Sequence, residues 1–275
     1  MNRSRILAAL GALSLVLISG FSAAQDLPQP PAAGVSARVD AIRKAGALRV
    51  GVLANSPWLI QNTEGQGEPW RGPAWLLAKT YAKLLNVELQ EVPVSSETRI
   101  PVLASNQVDL TITALSETPE RLKVLDFINY STTSNCLIGR KDNPKLANIT
   151  SIDELNSPDM EIVYVTGGPY LPWLKARLPN ARMRGVTDFL SEVIAGHADL
   201  GPYNKISAGV LLKKNPDVIA FPRENNCQDS KEQLIDMGMG VDKNQPEFLA
   251  WTRAVADAMK AELSAEEARA IASLK

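Results

Sequence analysis

The chain has 275 residues, of which 29 are Lys or Arg and 30 are Asp or Glu, so its formal net charge is −1. This balance argues against a nucleic-acid-binding protein, because such binding depends on excess positive charge. The length suits two domains or one large domain. With one histidine and two cysteines, the sequence predicts neither a metal site nor a cofactor.

The first 24 residues have the organisation of a secretory signal peptide. A basic start is followed by an apolar run over residues 6–21 and by a small-residue cleavage site before Gln25. A membrane anchor is the alternative interpretation, but the run is short for a spanning helix. Residues 25–36 are rich in Pro and Ala and are predicted to be a mobile linker. The sequence therefore predicts an exported, periplasmic protein.

Strand-like and helix-like segments alternate through the first half of the chain. Predicted strands cover residues 48–53, 87–92 and 108–113, and predicted helices cover residues 75–85 and 100–104. Such alternation favours an α/β fold with a mostly parallel sheet and helical crossovers.

The second half repeats this pattern. Predicted strands cover residues 161–165, 181–184 and 198–203, and predicted helices cover residues 171–177 and 189–195. The segments IPVLASNQVDL and LSEVIAGHADL share one layout of helix, polar turn, Asp and strand.

These similar halves predict two lobes of similar architecture. We assign residues 37–131 plus 241–275 to lobe 1 and residues 132–240 to lobe 2. The amphipathic run over residues 248–263 is expected to pack against lobe 1.

The most informative segment is SSETRIPVLASNQVDLTITALSETPERLKVLDF, residues 95–127. It predicts a helix, a strand and a Ser/Thr-rich loop that ends at Arg121. A guanidinium offers a planar fork of donors that suits a carboxylate, and Ser116 adds a hydroxyl. The segment resembles the N-terminal lobe signature of the family 3 extracellular solute-binding proteins, the polar amino acid receptors of ABC importers. The resemblance extends over roughly residues 46–260.

This resemblance implies a type II periplasmic binding protein fold, with a ligand cleft between two α/β lobes. It implies that Arg121 binds the carboxylate of the ligand. It also implies that Arg99 and Ser96, near the predicted helix start, reach a second carboxylate, as in the acidic amino acid receptors. The alternatives are a surface Arg121 paired with Glu117 or Glu120, and a solvated Arg99.

Second-lobe candidates follow two of the predicted strands. Thr166, Gly167 and Gly168 precede a predicted helix, which favours backbone amides that face an anion, although an ordinary turn is the alternative. Asn204 stands where typical receptors of the family carry an Asp that pairs with the ligand ammonium. Trp58, in the first lobe, is expected either to border the cleft or to pack in a core.

Cys136 and Cys227 are the two cysteines of a chain predicted to be exported, where oxidation is expected. We predict that they form a disulfide; two separate buried thiols are the alternative. His197 is expected to be a surface residue.

The predicted function is capture of a small polar carboxylate, an amino acid or a dicarboxylate, by a monomer that delivers it to the membrane permease of an ABC importer. One alternative is an enzyme similar to the cyclohexadienyl dehydratases. Their chemistry needs a general-acid carboxylate in the second lobe, and Ser207 occupies the matching place. The sequence therefore predicts no catalytic residue. A ligand sensor without a transport role is the other alternative.

Overall fold

A computed structural model describes residues 27–274. The strands are β1 (Ala47–Val52), β2 (Ile60–Gln61), β3 (Trp70–Arg71), β4 (Glu88–Pro93), β5 (Leu110–Ser116), β6 (Leu125–Thr133), β7 (Asn135–Arg140), β8 (Glu161–Val165), β9 (Arg182–Val186), β10 (Leu200–Asn204), β11 (Val218–Phe221) and β12 (Ile235–Asp242). The α-helices are α1 (Ala37–Ala45), α2 (Pro73–Leu85), α3 (Pro101–Ala104), α4 (Leu171–Arg177), α5 (Phe189–Ile194), α6 (Lys205–Lys214), α7 (Pro246–Ala258) and α8 (Lys260–Ser273). The predicted signal peptide lies outside the described residues.

Two five-stranded sheets organise the molecule into two lobes. The first sheet has the order β4-β1-β5-β12-β6, and the second has the order β11-β7-β10-β8-β9. β1 pairs in parallel with β4 and β5, whereas β12 runs antiparallel to β5 and β6. This arrangement confirms the predicted α/β class and the two-lobed architecture.

The lobe boundaries differ from those predicted. β6 and β12 pair with each other over their whole lengths, so both belong entirely to the first sheet. The predicted boundaries at 131/132 and 240/241 therefore fall inside these strands and are wrong by a few residues. The chain leaves the first sheet at Ser134 and returns to it at Ile235.

The C-terminal helices pack on the first lobe, as predicted. Phe248, Trp251, Val255 and Leu263 are buried in the same core cluster as the residues of α2. The ring centroids of Trp251 and Tyr81 are 5.5 Å apart. Because α7 and α8 complete this core, the first lobe depends on both ends of the chain.

The described part of the predicted linker, residues 27–36, contacts the first lobe. The Pro28 carbonyl accepts a hydrogen bond from the Trp251 indole at 3.0 Å, and the Pro31 carbonyl accepts one from Arg43 at 2.8 Å. Within residues 27–274, no helix is long and apolar enough to cross a membrane.

Cys136 and Cys227 form a disulfide, which confirms that prediction. Their Cα atoms are 6.1 Å apart, and both side chains are fully buried. The bond joins β7 to a tight turn in which Asn225 and Asn226 have φ values of +44° and +48°. Asn adopts this left-handed backbone more readily than most residues, so the sequence of the turn suits its shape.

Candidate functional site

Arg121 lies on the loop after β5, and local hydrogen bonds fix its position. The Arg121 amide donates to Oγ1 of Thr118 at 3.3 Å, and Nη1 of Arg121 donates to the Ser116 carbonyl at 2.7 Å. The Ser116 hydroxyl lies 3.4 Å from the same nitrogen. The side chain is half-buried, and the remaining nitrogens of its guanidinium bond to nothing in the described part of the chain.

Arg99 lies near Arg121, and we refer to the two as the arginine pair. Burial lowers the pKa of Arg121, and the positive charge of Arg99 lowers it further. Burial also lowers the pKa of Arg99, against a smaller opposing effect of Glu97. Nε of Arg99 is buried and has no hydrogen-bond partner among residues 27–274. Two desolvated cations placed together are unfavourable unless an anion joins them.

The alternative of an Arg121 ion pair with Glu117 or Glu120 does not occur. The pKa of Arg121 is lowered by burial and by the like charge of Arg99. A carboxylate oxygen of Glu117 instead accepts a hydrogen bond from the Asn129 side chain at 2.8 Å. Among the described residues, neither arginine of the pair therefore forms an ion pair.

Ser96 occupies an exposed turn before α3. The helix predicted over residues 100–104 is observed as α3, which begins at Pro101, whose ring suits the first turn of a helix. Ser95, the neighbour of Ser96, organises this turn by accepting hydrogen bonds from the amides of Glu97 and Thr98. The place of Ser96 in the site stays a prediction.

The glycine loop of the second lobe differs from expectation. Gly167 has a φ of +77°, and the Gly168 amide donates to the Val165 carbonyl at 2.9 Å, so that amide is not free for an anion. α4 begins at Leu171, with Pro172 in its first turn. The prediction that Gly168 faces an anion at a helix end is therefore wrong. Thr166 and Gly167 remain exposed.

Asn204 ends β10 and caps α6. Its Oδ1 accepts from the Ser207 amide at 2.8 Å, and its Nδ2 donates to the Ser207 hydroxyl at 2.9 Å. Tyr170 lies against it: burial raises the pKa of Tyr170 to about 12, although hydrogen bonding to Asn204 opposes the shift. The Asn204 amide is neutral, and its Oδ1 already serves the cap, so this residue offers no negative charge to an ammonium. Asn is a preferred capping residue, so the residue type itself is the sequence signal for this role.

Trp58 is buried rather than part of an open cleft wall, with 1% of its surface exposed. Its Nε1 lies 3.0 Å from Oγ of Ser131 and 3.1 Å from Oε2 of Glu267. The ring shares a cluster with Ala114 of the first lobe and Ile206 of the second. Trp58 therefore lies where the lobes meet. Sequence analysis missed Glu267, because nothing in α8 signals a contact so distant along the chain.

Comparison with known proteins identifies the family. Residues 48–270 match the bacterial extracellular solute-binding proteins, family 3. The chain is 35% identical over 150 residues to the arginine-binding extracellular protein ArtP of Bacillus subtilis (strain 168), a match that covers 53% of this chain and 57% of ArtP. The match thus spans little more than half the length of that curated relative.

Solved structures agree with the fold. The crystal structure of AncCDT-1, an ancestral amino acid-binding protein described as a precursor of cyclohexadienyl dehydratase, is similar with a TM-score of 0.65 and 28% identity, over 84% of this chain and 96% of that chain. AbpA, an amino acid ABC transporter substrate-binding protein from Streptococcus pneumoniae, has a TM-score of 0.69 and 23% identity, over 86% and 98% of the two chains. These likenesses confirm the two-lobed type II fold, and the chain belongs to the family 3 bacterial extracellular solute-binding proteins.

Proposed function

We propose that the protein is a periplasmic, monomeric solute-binding protein that captures a small polar carboxylate and delivers it to the permease of an ABC importer. The observation that carries this proposal is the arginine pair, which is half-buried and forms no ion pair among the described residues, with only a small electrostatic effect of Glu97 on Arg99. A carboxylate between the two guanidiniums would replace a repulsive arrangement with charge-assisted hydrogen bonds.

Closure of the lobes supplies the transport signal. A ligand shifts the open–closed equilibrium only by the difference between its affinities for the two states. Contacts with the arginine pair belong to the first lobe, so any contact with Thr166 or Gly167 of the second lobe would form on closure. Closed and open forms would then present different surfaces to the permease.

The arginine pair favours a ligand with two acidic groups, such as an acidic amino acid or a dicarboxylate. Within this class Asn204 favours the dicarboxylate, since a neutral capping residue supplies no charge for the ammonium of an amino acid. The relative ArtP is an arginine-binding protein, so L-arginine is the competing ligand. Its cationic side chain would be repelled by Arg99 if it lay near that residue.

The enzymatic alternative has a weaker basis. AncCDT-1 is described as a precursor of cyclohexadienyl dehydratase, and this similarity is the reason to consider dehydratase activity. At the position where a general-acid carboxylate is needed this chain has Ser207, and its hydroxyl is a partner of Asn204 in the helix cap. A hydroxyl is a poor general acid near neutral pH, so we propose binding without turnover.

A thermal-shift panel on residues 25–275 tests this function. A ligand that binds only the native state raises the melting temperature with its concentration. We expect a rise with L-glutamate, L-aspartate or succinate, and a smaller one or none with L-arginine. A rise with L-arginine alone would contradict the assigned ligand class, and consumption of prephenate would favour the enzyme.

A further inference from the structure

Helix α8 of the first lobe reaches the second lobe. Leu263 and Ala270 are buried against the first lobe and anchor the helix there. Near its end, Ile271 packs against the cluster that contains Trp58 and Ile206. Because Ile206 belongs to α6 of the second lobe, α8 takes part in the contact between the lobes.

Glu267 is the polar residue of α8 at this contact. The Trp58 indole N–H is shared between Ser131 and the Glu267 carboxylate, at 3.0 and 3.1 Å. A hydrogen bond to a carboxylate is stronger than one between neutral groups, so Glu267 fixes the indole ring. The backbone of Trp58 is also held, since its carbonyl accepts from the Ala74 amide at 3.1 Å.

Lys205 of the second lobe lies near this contact, because it directly precedes Ile206, which packs in the cluster of Trp58 and Ile271. Burial raises the pKa of Glu267, whereas hydrogen bonds from Ser131 and Trp58 and the charge of Lys205 lower it by smaller amounts. The backbone amide of Lys205 donates to the carbonyl of Ser134 at 2.9 Å, where the chain crosses between the lobes. Lys205 therefore lies close to the axis about which the lobes would rotate.

We propose that Glu267 is a positioning residue for the ligand cleft, which holds the Asn55–Trp58 loop of the first lobe through the Trp58 indole and sets the resting separation of the lobes through Lys205. The acceptor oxygen and the negative charge have separate roles. The oxygen orients Trp58, and the charge attracts the second lobe. This inference rests on the proposed function only in taking the region between the lobes as the cleft.

Protonation of Glu267 is expected to weaken the second role and keep the first. Several charged or titratable groups lie around this carboxylate on the packed elements and around the adjoining cavity of about 410 Å³: Tyr130, Lys205, Asp236, Asp257 and Lys260. Asp236 and Asp257 are acidic and Lys260 is basic, and all three remain on the first lobe. Lys205 is the one among these five that moves with the second lobe.

The separation of the lobes can be measured without a ligand. Spin labels are attached at Lys83→Cys on the first lobe and Lys213→Cys on the second, both exposed positions, while the native disulfide leaves no other thiol. Distance distributions are compared between Glu267→Gln, Glu267→Ala, Lys205→Met and the unsubstituted labelled protein. Lys260→Met, which removes a cation on the same helix, is the matched control.

We expect Glu267→Gln and Lys205→Met to shift the distance distribution equally, with no further shift in the double variant, and Lys260→Met to leave it unchanged. The distribution should change with pH in the parent protein and not in Glu267→Gln. The protein has five tryptophans, so the contribution of Trp58 is taken as the fluorescence lost on Trp58→Phe; it should be preserved in Glu267→Gln and altered in Glu267→Ala. Identical distributions in all variants, or a pH response that persists in Glu267→Gln, would overturn the proposal. Either result leaves the thermal-shift test of ligand binding unaffected.

Discussion

The interaction free energy between Arg99 and Arg121 can be measured directly. It should be unfavourable in the ligand-free protein and favourable when a ligand is bound. The perturbation is a double-mutant cycle of Arg99→Met and Arg121→Met. Each single change also removes contacts of its own, such as the bond from Arg121 to the Ser116 carbonyl at 2.7 Å. The cycle cancels these contributions and isolates the interaction between the two side chains.

In the ligand-free protein we expect an unfavourable coupling of about 0.5–1 kcal/mol, the range for partly exposed charges. The charge of Arg99 contributes to the lowered pKa of Arg121, which indicates that the two side chains repel each other. The assay is urea unfolding of the four proteins at low salt and in about 0.5 M NaCl, where screening should reduce the coupling. With a saturating dicarboxylate, the coupling should become favourable because both arginines bind one anion.

The control cycle combines Arg121→Met with Arg177→Met. Arg177 lies on the second lobe and has partners of its own in Glu232 and Asp153, so its coupling to Arg121 should be zero. A zero or favourable coupling of Arg99 with Arg121 in the ligand-free protein would refute the description of the arginine pair as uncompensated cations.

Three further predictions concern stability. Replacing Cys136 and Cys227 by Ser should lower the free energy of unfolding by up to about 4 kcal/mol, since a long loop is no longer closed; a thiol titration of the denatured parent protein should find no free thiol, and two would contradict the disulfide. Gly72→Ala should cost about 2 kcal/mol or more, because φ is +107° and the new Cβ would lie 2.6 Å from the Trp58 carbonyl oxygen; an unchanged melting temperature would contradict this geometry. The pKa of Glu267 is raised on folding, so its contribution is present below pH 4.5 and is lost as pH rises through the folded pKa. Glu267→Gln should therefore become more stable relative to the parent protein as pH rises above 4.5, and parallel pH profiles would argue against a desolvated carboxylate.

The fold could be predicted from the sequence because its signals are local. Alternating strand and helix patterns indicated the two lobes, and the amphipathic run over residues 248–263 indicated packing on the first lobe. The lobe boundaries were less accurate, since β6 and β12 stay paired to their ends and hydrophobic pattern alone does not show where a strand changes sheet.

The candidate site was predictable in part. Arg121 follows from a strand, a polar loop and a family signature, all contiguous in the chain. Asn204 and Gly168 carry no decisive signal, because the same residue types serve a cap or a turn as readily as a ligand. Glu267 lies 209 residues from Trp58 in sequence, and only the packing of α8 on the completed first lobe brings them together.

The central claim is that a carboxylate binds the arginine pair, and a thermal-shift comparison of the parent protein with Arg121→Met tests it most directly. Both proteins are melted with L-glutamate, L-aspartate, succinate and L-arginine, and Arg177→Met serves as the control for loss of an arginine. We expect at least one of the acidic ligands to raise the melting temperature of the parent and of Arg177→Met but not of Arg121→Met. An equal rise in all three proteins, or no rise with any carboxylate, would contradict it.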